Sequence, residues 1–212
     1  MSAARDFGLT APAFVDPAEE ESRARNERDI FLMERVKAGQ MEAFEELVER
    51  HQHAVVGTVA KMLGNDADAE DIAQQVFIRV WKSAHRYKPT AKFTTWLMTI
   101  VRNLVFNECR RRSRARLVPL EAETPDAPRT QHADSEALSP SEELLDGELR
   151  RAVDAAIASL PESQRMAIVL RRYENMPYEE IARVLRTSVS AVKSMLFRAR
   201  GELKEKLRSY LE

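Results

Sequence analysis

Cysteine is almost absent from this chain: one residue, Cys109, among 212 excludes a disulfide framework and any cysteine-rich zinc site. Glycine is scarce at 6 and proline stands at 9, while Ala, Leu, Glu and Arg are abundant and β-branched runs are few. That balance favours an all-α fold. No apolar run approaches the about 18 residues that span a bilayer, so membrane insertion is not expected. The opening segment, MSAARDFGLTAPAFVDPAEEESRARNERD, lacks the basic start and apolar stretch of a signal peptide. Together these absences lead us to expect a soluble, cytoplasmic protein in a reducing compartment. A charge excess of one sign is missing too, with 33 Lys plus Arg against 34 Asp plus Glu and a net of −1.

The near-neutral total hides a pattern. Residues 1–29 carry 4 basic and 7 acidic side chains, and residues 30–117 carry 15 and 10. Residues 118–147 carry 1 and 8, and residues 148–212 carry 13 and 9. Two basic blocks are thus separated by an acidic segment rich in Pro, Ser and Asp, without hydrophobic periodicity. Such a segment buries too little apolar surface to offset its ordering entropy, so a flexible linker is expected over 118–147. Disorder is expected over 1–29 as well. One charged run is ordinarily a solvated face, but two basic blocks on an acidic tether favour a polyanionic partner.

In the first block, Phe44, Leu47, Val48, His51, Val55, Val59, Met62 and Leu63 recur at helical spacing. Gly64 ends this helix, and Asn65 or Asp66 suits the cap of the next. The second stripe is Ala69, Ile72, Ala73, Val76, Phe77, Val80, Trp81 and Ala84, which should face the core. Another face of the same helix carries Asp71, Gln74, Gln75, Ile78 and Lys82. An isoleucine inside a polar stripe suits docking against another helix, although a single exposed apolar residue is ordinarily meaningless.

Pro89 prevents helix from Tyr87 to Lys92, leaving a loop with an aromatic and two lysines. Thr94 or Thr95 then suits the cap of a helix with Trp96, Leu97, Ile100, Val101 and Leu104 inward. Its outer side offers Arg102, Asn103, Asn107 and Arg110, followed by Arg111, Arg112, Arg114 and Arg116. Aromatic, amide and arginine groups beside a loop suit unpaired bases, and the arginine run suits phosphates. Phe93 and Trp96 are expected in the core.

In the second block, Leu149, Val153, Ala156, Ile157 and Leu160 form one stripe, and Pro161 opens the next helix. Met166, Val169, Leu170 and Tyr173 lead to a turn at Asn175-Met176-Pro177. A short helix carrying Tyr178, Ile181, Ala182 and Leu185, the turn Arg186-Thr187-Ser188, and a longer helix follow. The last helix has Val189, Val192, Leu196, Ala199 and Leu203 inward, which makes a helix-turn-helix whose turn lacks glycine. Outward lie Ser190, Lys193, Ser194, Phe197 and Arg198, residue types that read base edges, thymine methyls and phosphates.

In order and spacing these motifs resemble a bacterial RNA polymerase sigma factor of the extracytoplasmic-function (ECF) class, within the sigma-70 superfamily. DAEDIAQQVFIRVWKSA is similar to the family's second conserved region, and FTTWLMTIVRNLVFNECRRRSR to its promoter-melting and −10-reading segment. LPESQRMAIVLRRYENMPYEEIARVLRTSVSAVKSMLFRARGELKEKL is similar to the fourth region, which reads the −35 element. The resemblance covers 30–117 and 148–212. It implies two small helical domains, and a non-enzymatic specificity subunit that needs no cofactor and no metal.

The resemblance further implies that Asp71, Gln74, Gln75 and Ile78 dock on the clamp helices of the polymerase β′ subunit, with β also contacted. It implies that Tyr87, Lys88, Thr90, Ala91 and Lys92 capture a flipped base of the −10 non-template strand. Asn103, with Arg102, Asn107 and Arg110 as neighbours, would touch that strand. Ser190, Lys193, Ser194, Phe197, Arg198 and Arg200 would read promoter DNA at −35; Lys193 stands where arginine is frequent. An anti-sigma factor is an expected partner. The competing reading is a polymerase-independent helix-turn-helix regulator, which would have no use for the Tyr87–Lys92 loop or the docking stripe. An enzyme would have to rest on His51 and His53, whose spacing of two puts them on different helix faces.

Overall fold

The computed structural model describes the backbone of residues 17–64, 67–117 and 140–210. Helix α1 runs Pro17–Lys37, α2 Met41–Leu63, α3 Ala67–Ser83 and α4 Phe93–Leu117. The second block holds α5 (Pro140–Ala158), α6 (Glu162–Arg172), α7 (Tyr178–Leu185) and α8 (Val189–Lys206). The only other regular elements among the described residues are short 3-10 turns at Ala84–Arg86 and Arg208–Tyr210.

Two expectations about order need correction. Helix α1 begins at Pro17, so residues 17–29, expected to be disordered, are helical. These residues are nearly all polar and carry no apolar stripe, which is why periodicity missed them. What holds the helix is its start and its far end. Pro17 and first-turn Glu19 and Glu20 suit an N-terminus, and Leu32, Met33 and Val36 are buried further along. Between them Asp29, only 2% exposed, accepts from Arg50 Nε at 2.9 Å and lies 3.1 Å from His51 Nε2. A buried carboxylate needs such partners, so Asp29 ties α1 to α2 and His51 has a structural task. The second correction is that α5 starts at Pro140, inside the stretch read as linker. Residues 1–16 and 118–139, and the caps proposed at Asn65 and Asp66, lie outside the described residues.

The amphipathic stripes are otherwise where their spacing put them. Leu47, Val55, Val59 and Met62 of α2 are buried, as are Ala69, Ile72, Ala73, Val76, Phe77 and Val80 of α3. Fully burying one such aliphatic side chain favours folding by about 1.5–3 kcal/mol relative to exposure. Gly64 closes α2 in a left-handed conformation, φ 66°, with its amide bonded to Ala60 O at 2.8 Å. In the second block Arg186 adopts φ 55° after α7, so the helix-turn-helix closes without glycine. That backbone costs on the order of 1 kcal/mol. Ser188 then caps α8 by accepting from Ala191 N at 3.1 Å.

The two blocks pack against each other and share one continuous core. Arg165 of α6 donates to the carbonyls of Met62, Ala158 and, at 3.0 Å, Leu160. The first two belong to the last turns of α2 and α5, where carbonyls lack intrahelical donors and the helix dipole favours a cation. Lys61 of α2 reaches Asp154 of α5 at 3.3 Å and lies over the Tyr173 ring at 4.3 Å. Thr58 of α2 donates to Glu174 at 3.2 Å.

Candidate nucleic-acid and polymerase interface

Helix α3 buries one stripe and bares the other. Asp71, Gln74, Gln75 and Lys82 are all exposed, and Ile78 is 52% exposed between them. One helix therefore gathers an apolar side chain, two amides and a carboxylate on an open face.

The loop after α3 departs from expectation in one respect. Tyr87 is 1% exposed, with its ring 5.0 Å from Trp96 and 6.1 Å from Phe93. Its hydroxyl has no hydrogen-bond partner, and burial pushes its pKa up to about 12. A side chain this enclosed has no face for a base, so Tyr87 is an anchor of the core and not a stacking surface. Phe93 is buried as expected. Lys88 and Thr90 are exposed, and Ala91 and Lys92 are half-buried.

Helix α4 starts at Phe93, which places Thr94 and Thr95 inside its first turn instead of at the cap. The cap comes from elsewhere: Phe93 N donates to Asn26 Oδ1 of α1 at 2.8 Å. Freed from capping, Thr95 donates its hydroxyl to Glu180 Oε2 of α7 at 3.0 Å. The other oxygen of Glu180 lies 3.1 Å from Lys92 Nζ, which is also 3.4 Å from Ser22 Oγ of α1. Glu180 is only 8% exposed. The loop lysine is thus covered by a carboxylate from the second block.

Along α4 the outward side chains are bonded to one another. Arg102 Nη1 donates to Asn103 at 2.9 Å and its guanidinium lies 4.9 Å from the Phe106 ring. Burial lowers the pKa of Arg102, and the positive charges of Arg186 and Arg110 lower it further. Arg110 donates to Asn107 at 3.0 Å. Arg111 and Arg112 both hold Glu108, whose carboxyl is pulled down to about 2, and Arg112 also meets Asp68. Part of the arginine run is therefore neutralised within the protein. Cys109 is half-buried and burial raises its thiol pKa, which disfavours a reactive thiolate.

Helix α8 looks different. Val192, Leu196 and Ala199 are buried against α6 and α7, which turns Ser190, Lys193, Ser194, Arg198 and Arg200 to solvent. Phe197 is 80% exposed. Lys193, Ser194, Phe197 and Arg198 line one shallow depression of the helix surface. Phe197 is thus an aromatic ring left bare on an otherwise well-packed helix.

Sequence reasoning missed Ser22, Asn26, Glu174 and Glu180. The first two sit in a polar stretch without periodicity, and the glutamates matter only because the blocks meet. No spacing rule links residues 67 or 85 positions apart, as in the Asn26–Phe93 and Thr95–Glu180 bonds.

Residues 47–115 match the family described as Sigma-70 region 2, and residues 150–203 match Sigma-70, region 4. The chain is 33% identical over 188 residues to the RNA polymerase sigma-H factor of Pseudomonas aeruginosa, covering 87% of this chain and 96% of that protein. It is 35% identical over 183 residues to the ECF RNA polymerase sigma-E factor of Escherichia coli, covering 84% and 94%. Among solved structures, CnrH in complex with the cytosolic domain of CnrY aligns with a TM-score of 0.63 and 26% identity, over 86% of this chain and 98% of CnrH. The sigma factor RpoE of Bartonella quintana, solved with the anti-sigma factor NepR, shares the fold at a TM-score of 0.61 and 22% identity, over 78% and 96%. Both conserved regions are matched in their expected order, and the chain belongs to the ECF class of sigma-70 family sigma factors.

Proposed function

We propose that this sigma factor docks on the β′ clamp helices of core RNA polymerase through Asp71, Gln74, Gln75 and Ile78, with β as a further contact. In the holoenzyme it directs promoter-specific initiation. Lys88, Thr90, Ala91 and Lys92 take the flipped base of the −10 non-template strand, and Arg102, Asn103, Asn107 and Arg110 follow the strand along α4. Unstacking a base costs a few kcal/mol, which the loop contacts and polymerase together offset. Ser190, Lys193, Ser194, Phe197 and Arg198 enter the −35 major groove, where the first turns of a recognition helix meet base edges. Arg200 lies further along and meets phosphate, which positions without specifying. The observation that carries this reading is the bare outward face of α8, with Phe197 80% exposed beside Lys193 and Arg198.

Promoter elements about one and a half DNA turns apart lie roughly 50 Å from each other. Blocks packed through Thr95–Glu180 and Thr58–Glu174 bonds must separate before both elements can be read. The closed arrangement is therefore a resting form. A protein that bridges the two blocks would hold it, and the fitting partner is an anti-sigma factor. CnrH bound by the cytosolic domain of CnrY and RpoE bound by NepR are relatives held in complexes.

Run-off transcription with added core polymerase tests the function, and Ile78→Asp tests the docking surface. A charge set against an apolar partner stays unpaired, so this variant should lose polymerase binding while keeping its helical signal. Normal capture of core polymerase by Ile78→Asp would remove the docking assignment.

A further inference from the structure

We infer that Asn26 of α1 is a positioning residue for the −10 loop, acting through the backbone of α4. The inference rests on the reading of residues 88–92 as the strand-capturing loop. The first amides of a helix have no intrahelical acceptor and need one from a cap. The residue in the cap position of α4 is Lys92, whose ammonium has no acceptor to offer. Its carbonyl accepts from Thr95 N at 3.1 Å and Trp96 N at 3.3 Å, so the helix turn closes behind it. The missing acceptor comes from Asn26, 67 positions earlier, at 2.8 Å from Phe93 N. Asn26 is half-buried and one turn before Asp29, the buried anchor of α1.

The consequence for the loop is geometric. Its first end is fixed by Tyr87, buried among Phe93 and Trp96 with its amide bonded to Ala84 O at 3.0 Å. Its second end is fixed by the Asn26 bond. Five residues pinned at both ends, with Pro89 among them and Thr90 N bonded to Lys88 O at 2.8 Å, have few conformations left. Such a loop meets a displaced strand without a large ordering cost. Ser22 of α1, 3.4 Å from Lys92 Nζ, steadies the lysine from the same helix. The polar stretch before residue 30 thus has a task in promoter opening although none of its residues need touch DNA.

The test uses holoenzyme assembled from the full chain and core polymerase, with a fluorescent single-stranded oligonucleotide carrying the −10 non-template sequence of a transcribed promoter. Asn26→Ala should weaken strand binding about fivefold, the scale of a lost cap, and speed exchange of the hydrogen-bonded amides of Thr90 and Phe93. Core polymerase affinity should stay within about twofold. Asn26→Asp keeps an acceptor at the same reach and should retain slow exchange at these amides. Lys88→Ala, measured in parallel, should also weaken the strand. If Lys88→Ala weakens it and Asn26→Ala does not, the positioning role is overturned and the loop reading stands. If neither does, the loop reading fails and the inference falls with it. Fast exchange in Asn26→Asp, or an equal loss of core affinity in Asn26→Ala, would overturn it as well.

Discussion

Helices α4 and α8 are the two elements proposed to read nucleic acid, and the fold leaves their outward faces in opposite states. On α8 the outward side chains are presented to solvent, with Phe197 80% exposed and Lys193 and Arg198 beside it. On α4 the corresponding groups are engaged. Arg102 bonds Asn103, Arg110 bonds Asn107, Arg111 and Arg112 hold Glu108, and just before the helix the loop residue Lys92 meets Glu180. A duplex is a rigid template, and a preformed rigid face reads it well. Glu108 and Asp68 neutralise Arg111 and Arg112, which weakens the pull of that part of α4 on phosphate, while Arg102 and Arg110 keep their charge against amide partners. The carboxylate of Glu180 meets Lys92 where, in the proposed complex, a strand phosphate would compete for it.

The comparison breaks most visibly at Lys193. Lys193→Ala should cost about 1–3 kcal/mol of discrimination per lost base contact at one or two −35 positions. Transcription from a −35 mutant library reads this directly, and equal weakening of all promoters would mean that α8 faces the groove differently.

Glu180→Gln addresses the other side. Removing the charge releases Lys92 while sparing the amide-sized volume, and should favour separated blocks by about 1 kcal/mol, since Lys92 is partly solvated. Energy transfer between labels on α2 and α8 would register the shift. An unchanged distance distribution would remove Glu180 as the latch.

A smaller effect should come from Glu174, whose carboxyl burial holds above the usual range, with the Thr58 bond and the His51 charge pulling the other way. A raised carboxyl pKa means the closed form binds the proton more readily than the open form. Closure is therefore favoured as pH falls and loses that contribution as pH rises through the raised pKa. Glu174→Gln should flatten this dependence of the label distance. A parallel slope in the variant would assign the pH effect to another group.

Least in magnitude, Lys204→Ala should weaken all promoters alike and lower the salt slope by about one unit, with −35 preference intact. Promoter-selective loss there would extend the base-reading face further along α8 than Phe197 and Arg198 imply.

Much of this was legible in the order of residues. The stripes of α2, α3 and α8 follow from helical spacing, because residues three and four apart share a face whatever the tertiary context. Those inward stripes in turn fixed the exposed Ile78 and Lys193 faces. Tyr87 was not legible, since an aromatic in a loop beside Pro89 has the same local pattern whether it stacks on a base or closes a core. Only the rings of Phe93 and Trp96 around it decide for the core. Helix α1 escaped because 17–29 lacks apolar periodicity and is held by the distant partners Arg50 and His51 of Asp29.

The sequence by itself determined the helical class, the two basic modules in their order, and the outward faces of α3 and α8, because local periodicity dictates what each helix must bury. Only the tertiary structure decided that the modules close on each other, that Glu180 covers Lys92, and that Asn26 caps α4. Each of these joins groups far apart in the chain, apolar side chains in the shared core and polar donors and acceptors at its edge, and no spacing along the sequence encodes such a meeting.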